Sequence, residues 1–136
     1  MQKIEHIGIA VKNLEEAEKR FAKLLNTLSY KREEVASEGV ITSFFQVGES
    51  KIELLAATRP DSPIQKFIDK KGEGIHHIAF EVFDIEQKLK ELKAQGFRLI
   101  SETPKDGADN KKIAFIHPKS TGGILVEICQ EKTDEL

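Results

Sequence analysis

The chain has no tryptophan, a single cysteine, four prolines and one tyrosine among its 136 residues. The lone Cys129 cannot form an intramolecular disulfide, so no covalent staple contributes to the fold. An excess of positive charge is absent too. The 21 Lys and Arg are set against 23 Asp and Glu and spread along the chain, which leaves no basic stripe to collect the phosphates of a nucleic acid. The amino terminus, Met1-Gln2-Lys3-Ile4, enters a strand pattern at once, with neither a long apolar run nor a cleavage-site pattern. A cytoplasmic protein with no membrane partner is expected. At 39% hydrophobic and 32% charged, the composition is that of an ordinary globular chain, long enough for one buried core and too short for two ordinary domains.

What the chain does have is a segment used twice. Ile4-Glu5-His6-Ile7-Gly8-Ile9-Ala10-Val11 and Ile75-His76-His77-Ile78-Ala79-Phe80-Glu81-Val82 are both apolar, alternating runs with one histidine at the same place. His6 and His77 are 71 positions apart, and so are Asn13 and Asp84, each of which reads as the cap of a following helix. Two copies of one strand-helix unit are therefore expected to sit in tandem.

The rest of the chain keeps that duplication. After Asn13, with Glu16 three residues on, Leu14, Ala17, Phe21, Leu24, Leu25 and Leu28 recur at spacings of three and four and predict one amphipathic helix. After Asp84 and Gln87, the residues Ile85, Leu89 and Leu92 predict another, ended by Gly96. Strands are predicted over 30–38, 40–47 and 51–57 in the first copy and over 97–103, 112–117 and 123–129 in the second. Each half reads β-α-β-β-β. The half-units 1–57 and 75–130 are joined by a linker, 58–74, in which Ser62-Pro63 starts a short helix, and the whole of 1–136 forms one α+β domain.

Strand alternation then sorts the side chains. Ile7, Ile9 and Val11, and in the copy Ile78, Phe80 and Val82, are expected to face the helices. His6 and His77 fall on the opposite faces, each beside a small residue, Gly8 or Ala79. In the last strand of each half a lone carboxylate, Glu53 or Glu127, interrupts an apolar run, which is costly for an unpaired buried charge. Singly, the histidines would read as satisfied core residues and the glutamates as solvated. Matched in both copies, the four offer one shared site. Two imidazoles and two carboxylates suit a divalent ion such as Co²⁺, Mn²⁺, Ni²⁺, Zn²⁺ or Fe²⁺, and in an octahedral shell they leave two positions for a substrate with two neighbouring oxygens.

The segments around His6, His77 and Glu53, with the closing run His117-Pro118-Lys119-Ser120-Thr121-Gly122-Gly123-Ile124-Leu125-Val126-Glu127, resemble the vicinal oxygen chelate (glyoxalase/bleomycin-resistance) superfamily. More narrowly they resemble its methylmalonyl-CoA epimerase family, including Asp61-Ser62-Pro63-Ile64-Gln65-Lys66-Phe67 in the linker. The resemblance implies a cupped mixed sheet around one divalent ion held by His6, Glu53, His77 and Glu127, and a homodimer. It implies the interconversion of (2R)- and (2S)-methylmalonyl-CoA, between propionyl-CoA and succinyl-CoA metabolism, by proton removal and return at C2 through a stabilised enolate. A glyoxalase I-like lactoylglutathione lyase and a metal-free small-molecule-binding protein of the same fold are the alternatives.

For that chemistry Glu127 and Glu53 are the candidate proton carriers. In some members of the family a separate glutamate on an earlier strand serves, with glutamine as the fourth-strand ligand; that position falls near Thr42 here, with Glu38 the neighbouring acid. Lys119, Ser120, Thr121 and Gly122 are candidate substrate-binding residues, the backbone of 120–123 being placed to hold a carboxylate. Lys105, Lys111, Lys112 and Lys119 are candidates for CoA phosphates. His76 reads as structural, and His117, at the end of a strand before Pro118, as either a turn residue or one that faces the cavity.

Overall fold

The computed structural model describes residues 1–132. In chain order the strands are β1 (Lys3–Ala10), β2 (Lys31–Val35), β3 (Val40–Val47), β4 (Ser50–Ala57), β5 (Gly74–Glu81), β6 (Lys105–Gly107), β7 (Lys111–Ile116) and β8 (Val126–Glu131). The helices are α1 (Leu14–Leu25), α2 (Pro63–Lys71) and α3 (Ile85–Ala94), with 3-10 turns at Ala36–Glu38 and Pro118–Ser120. The chain divides into two compact units, one of His6–His76 and one of Met1–Glu5 with the chain from His77 onward. Gln2 N–H donates to the Glu81 carbonyl at 2.8 Å, which ties the first residues to the second of these units.

In the first unit the strand order is β2-β3-β4-β1, with β1 and β4 parallel and the other pairs antiparallel. The Asn13 side chain accepts from the Glu16 N–H at 3.0 Å, as the cap pattern predicts, and the start of α1 is thereby fixed against the end of β1. The helix lays Leu14, Ala17 and Phe21 on Ile9, Val11, Phe45, Ile52 and Leu54. On the opposite face Ala10, Val40 and Leu55 are covered by Ile64 and Ile68 of α2. Ser62 caps α2 by accepting from the Ile64 N–H, with Pro63 at the first helical position. Each fully buried aliphatic or aromatic side chain in such clusters stabilises by about 1.5–3 kcal/mol.

The helix stops sooner than its apolar spacing predicts. Asn26 takes a left-handed conformation (φ 53°) and its N–H closes on the Ala22 carbonyl, so the turn that would carry Leu28 inward never forms. Leu28 is 79% exposed and Leu24 71% exposed. Neither belongs to the apolar stripe.

The second unit repeats the plan in the order β5-β8-β7-β6, with β5 and β8 parallel. Asp84 accepts from the Gln87 N–H at 3.1 Å, and α3 presses Ile85, Leu89 and Leu92 on Phe80, Val82, Ala114, Ile116 and Ile128. Here the predicted strand over 97–103 does not form. Residues 98–100 touch the end of β7 through an isolated Leu99–Ile116 bridge and two backbone bonds, and the chain then turns away, Ser101 Oγ donating to the Thr103 carbonyl. The edge strand is instead β6, after Pro104, in a stretch that the sequence presents as a break. Gly107 permits its pairing, because a Cβ there would come within 2.8 Å of the Ile113 side chain.

Candidate metal centre

In the first unit, the parallel register of β1 and β4 sets Gly8 beside Glu53. His6, two residues before Gly8, shares that face, and its Nδ1 lies 3.0 Å from Glu53 Oε2. Both residues are buried, at 4% and 5% exposure. In the second unit Ala79 lies beside Glu127, and His77 Nε2 is 3.6 Å from Glu127 Oε1, both again buried. Each unit thus brings together one imidazole and one carboxylate of the predicted set. A residue without bulk sits next to each carboxylate, which leaves space for the longer histidine and glutamate side chains.

The antiparallel partner of each glutamate is a phenylalanine that the sequence reading passed over. Phe44 lies opposite Glu53 and Phe115 opposite Glu127. Phe44 is fully buried, and Phe115 meets the His77 ring edge-on at 6.2 Å. The spacing between Phe44 and Phe115 is 71, the same as between the histidines, so the repeat itself carried the signal. Each ring also lies beneath a lysine from the edge strand: Lys31 Nζ is 4.9 Å from the Phe44 centroid and Lys105 Nζ is 5.8 Å from that of Phe115. These apolar walls exclude water from one side of each carboxylate.

The donor atoms fit a divalent ion. Ligand atoms at about 2.1 Å from an ion such as Zn²⁺ and at right angles to each other lie about 3.0 Å apart. The His6–Glu53 separation matches that, and the His77–Glu127 separation is slightly longer. Nitrogen and carboxylate oxygen in equal numbers are the donors such ions accept. Buried carboxylates are otherwise expensive, and an ion between donors removes that cost.

The remaining predicted residues are placed as follows. His76 is half-buried, its ring edge-on to Phe67 of α2 at 4.9 Å, and burial, with Lys71 nearby, lowers its pKa to about 4. His117 accepts from the Lys119 N–H through Nδ1 at 3.1 Å and caps the turn Pro118–Ser120. In the 119–123 segment the N–H groups of Ser120, Thr121 and Gly123 bond to carbonyls within the turn, Ser120 Oγ accepts from Arg98 N–H, and Thr121 Oγ1 donates to the carbonyls of Pro118 and Ile124. These groups hold the turn's shape, and the exposed Lys119 is its free-standing charge carrier toward solvent. Lys105 and Lys112 are exposed as well. Lys111 is not a surface lysine: it is 4% exposed, with Nζ at 3.0 Å from Glu131, 3.8 Å from Glu81 and 4.0 Å from the buried Glu5. Its β7 position points inward, where only paired charge is tolerated.

Thr42 is buried and shares the face of Phe44. Glu38 ends the 3-10 turn before Gly39, outside the strand pairing. The residue paired across from Thr42 is Glu33 of β2, which the sequence reading did not single out.

A family model described as the Glyoxalase/Bleomycin resistance protein/Dioxygenase superfamily matches residues 5–115. The chain belongs to that superfamily. Within it, the chain resembles the methylmalonyl-CoA epimerases: it is 39% identical to the mitochondrial methylmalonyl-CoA epimerase of Dictyostelium discoideum, over 93% of this chain and 76% of that protein. The solved structure of Streptomyces coelicolor methylmalonyl-CoA epimerase in complex with 2-nitronate-propionyl-CoA is similar at a TM-score of 0.93 and 30% identity, covering 100% of this chain and 99% of that one. An uncharacterised Bacillus subtilis protein is 41% identical over 99% of this chain and 96% of its own length. Among the described residues no helix is long and apolar enough to cross a membrane.

Proposed function

We propose that the chain interconverts (2R)- and (2S)-methylmalonyl-CoA as a divalent-metal-dependent epimerase. The observation that carries the reading is the buried histidine–glutamate pair made twice, once in each unit, in a chain whose full-length relatives include epimerases. His6, Glu53, His77 and Glu127 would hold the ion, with the two units acting as one domain. The native ion is Co²⁺, Mn²⁺, Ni²⁺ or Zn²⁺. When bound, it supplies positive charge against the negative charge that develops on the thioester oxygen.

The protein side chains do the rest. A carboxylate on one side of C2 removes the proton, and the electron pair passes into the thioester as an enolate. An acid on the opposite side returns a proton to C2 with inversion. Glu127 serves one side. Its neighbour Phe115 keeps water from that carboxylate, which favours return of the proton to carbon. On the other side the sequence nominates Glu53, which also stands among the ligands. Exposed Lys105, Lys112 and Lys119 would meet the CoA phosphates. A homodimer in the cytoplasm is the proposed working form.

Solvent deuterium incorporation at C2 of methylmalonyl-CoA tests the reading. Purified protein loaded with Co²⁺ is expected to label both epimers and to lose that activity on chelation. A protein that exchanges neither epimer but converts a glutathione hemithioacetal would instead be a lactoylglutathione lyase, and one that carries no stoichiometric metal would be a binding protein.

A further inference from the structure

The chain passes between its two compact units twice, between Glu5 and His6 and again between His76 and His77. Each histidine of the proposed site is therefore the first residue after a crossing. His77 belongs to the same unit as Glu127, and His6 to the same unit as Glu53. For the four to hold one ion, the chain must be held firmly where it crosses. His6 lies one strand step, about 3.3 Å, beyond Glu5. Whatever fixes Glu5 also fixes His6.

That group is Lys111. In the pairing of β7 with β8, Lys111 stands across from Glu131 and Phe115 across from Glu127. Four residues apart on one strand, Lys111 and Phe115 share a face, so Lys111 points to the side of the sheet that carries Glu127. Its Nζ lies 4.0 Å from Glu5, 3.8 Å from Glu81 and 3.0 Å from Glu131. The three contacts are not equal. The Glu131 side chain is 74% exposed and water screens it, whereas the side chains of Glu5 and Lys111 are 2% and 4% exposed and attract each other through a medium of low polarity. A backbone bond adds to the attachment, the Gln2 N–H donating to the Glu81 carbonyl at 2.8 Å. Replacing a buried ion pair by apolar side chains of similar volume is often neutral or stabilising, so stability alone does not account for this one. Direction does: a charge pair holds its partner in one place, where a non-directional apolar contact lets it slide.

We infer that Lys111 is a positioning residue of the metal centre: through the buried Glu5 it fixes the point at which β1 leaves the second unit, and so sets His6 for an ion held with His77 and Glu127. The inference rests on the metal site proposed above. Lys111 acts through the strand, with no part in the proton transfer.

The test replaces the pair at once, as Lys111→Met with Glu5→Gln. The two changes together leave the net charge unaltered and strand no lone charge, so a loss of metal affinity reports position and not electrostatics. Leu89→Ala, in the apolar core of the same unit, is the control for lowered stability. Each protein is titrated with Co²⁺ against a chelating dye, and its Co²⁺ absorption spectrum and melting temperature are recorded. Leu89→Ala should melt below wild type but bind Co²⁺ with the wild-type Kd and spectrum. The double variant should bind Co²⁺ at least ~10-fold more weakly, the scale on which groups that support a ligand act, and with a changed spectrum. Should it fail to fold, Lys111→Gln with Glu5→Gln takes its place with the same expectation. A paired variant with the wild-type Kd and spectrum, or an equal loss of affinity in Leu89→Ala, would overturn the positioning role while the metal site stands. Wild-type protein that binds no stoichiometric Co²⁺ would overturn the metal site itself.

Discussion

His6 Nδ1 lies 3.0 Å from Glu53 Oε2, with both side chains closed off from solvent. A carboxylate and an imidazole that close are two ligands of one ion or a buried ion pair. The two cases respond differently to substitution. For the proposed site, His6→Leu and Glu53→Leu, which remove the donor atoms, should each lower the bound divalent metal well below one ion per chain by elemental analysis. Full retention of metal by both variants would remove this pair from the site.

Glu127 is proposed both to hold the ion and to move a proton. Glu127→Gln keeps the side chain's volume and an oxygen donor but loses its basicity. Turnover is expected to drop at least ~10²-fold. Steady-state epimerisation near the wild-type rate would exclude Glu127 from the proton transfer.

An ion bound only by the folded protein stabilises it by mass action, by about 2.7 kcal/mol at a hundredfold excess over Kd. Chelation should therefore lower the melting temperature as well as the activity. Added Co²⁺ or Mn²⁺ should restore both, as read by calorimetry and by deuterium exchange.

The charge cluster around Lys111 makes a separate prediction. Lys111→Met would leave the buried Glu5 facing Glu81 without the cation that lies 4.0 Å and 3.8 Å from them. Removing one partner of a buried pair costs about 3–5 kcal/mol. Urea denaturation should show a loss of that order, and adding Glu5→Gln should recover part of it.

Stability should also depend on acid through Glu18. The Arg32 guanidinium, helped by the Ser43 hydroxyl, holds the Glu18 carboxyl below its ordinary value of 4.5, against a burial effect that raises it. A folded-state pKa below the unfolded one means stabilisation that is complete above the ordinary value and is lost as pH falls through the lowered one. The pair is partly exposed, so about 1 kcal/mol is expected. Glu18→Gln should be less stable than wild type by that amount at pH 7, and the gap should close on acidification below the ordinary carboxylate range.

The duplicated strand-helix unit, the caps Asn13, Ser62 and Asp84, and the alternation that puts His6 and Glu53 on one face and His77 and Glu127 on one face were all legible in the order of residues. They depend on neighbours a few positions away: a cap bonds two or three residues ahead, and a strand reverses its side chain at each step. The same local reasoning extended α1 to Leu28, because periodicity does not register the left-handed turn at Asn26. It also put a strand at 97–103, where the bonds that define a sheet edge are made by Lys105–Gly107. Which residue stands opposite which was decided only when the strands paired. Phe44 against Glu53, Phe115 against Glu127 and Glu33 against Thr42 are matters of register, and the inward turn of Lys111 depends on carboxylates from three other strands. The hairpin pairings lie only 9 to 12 positions apart, but a one-residue change in where each turn closes would shift every partner, and the Lys111 cluster joins segments far apart in the chain, so periodicity within a single strand could set neither.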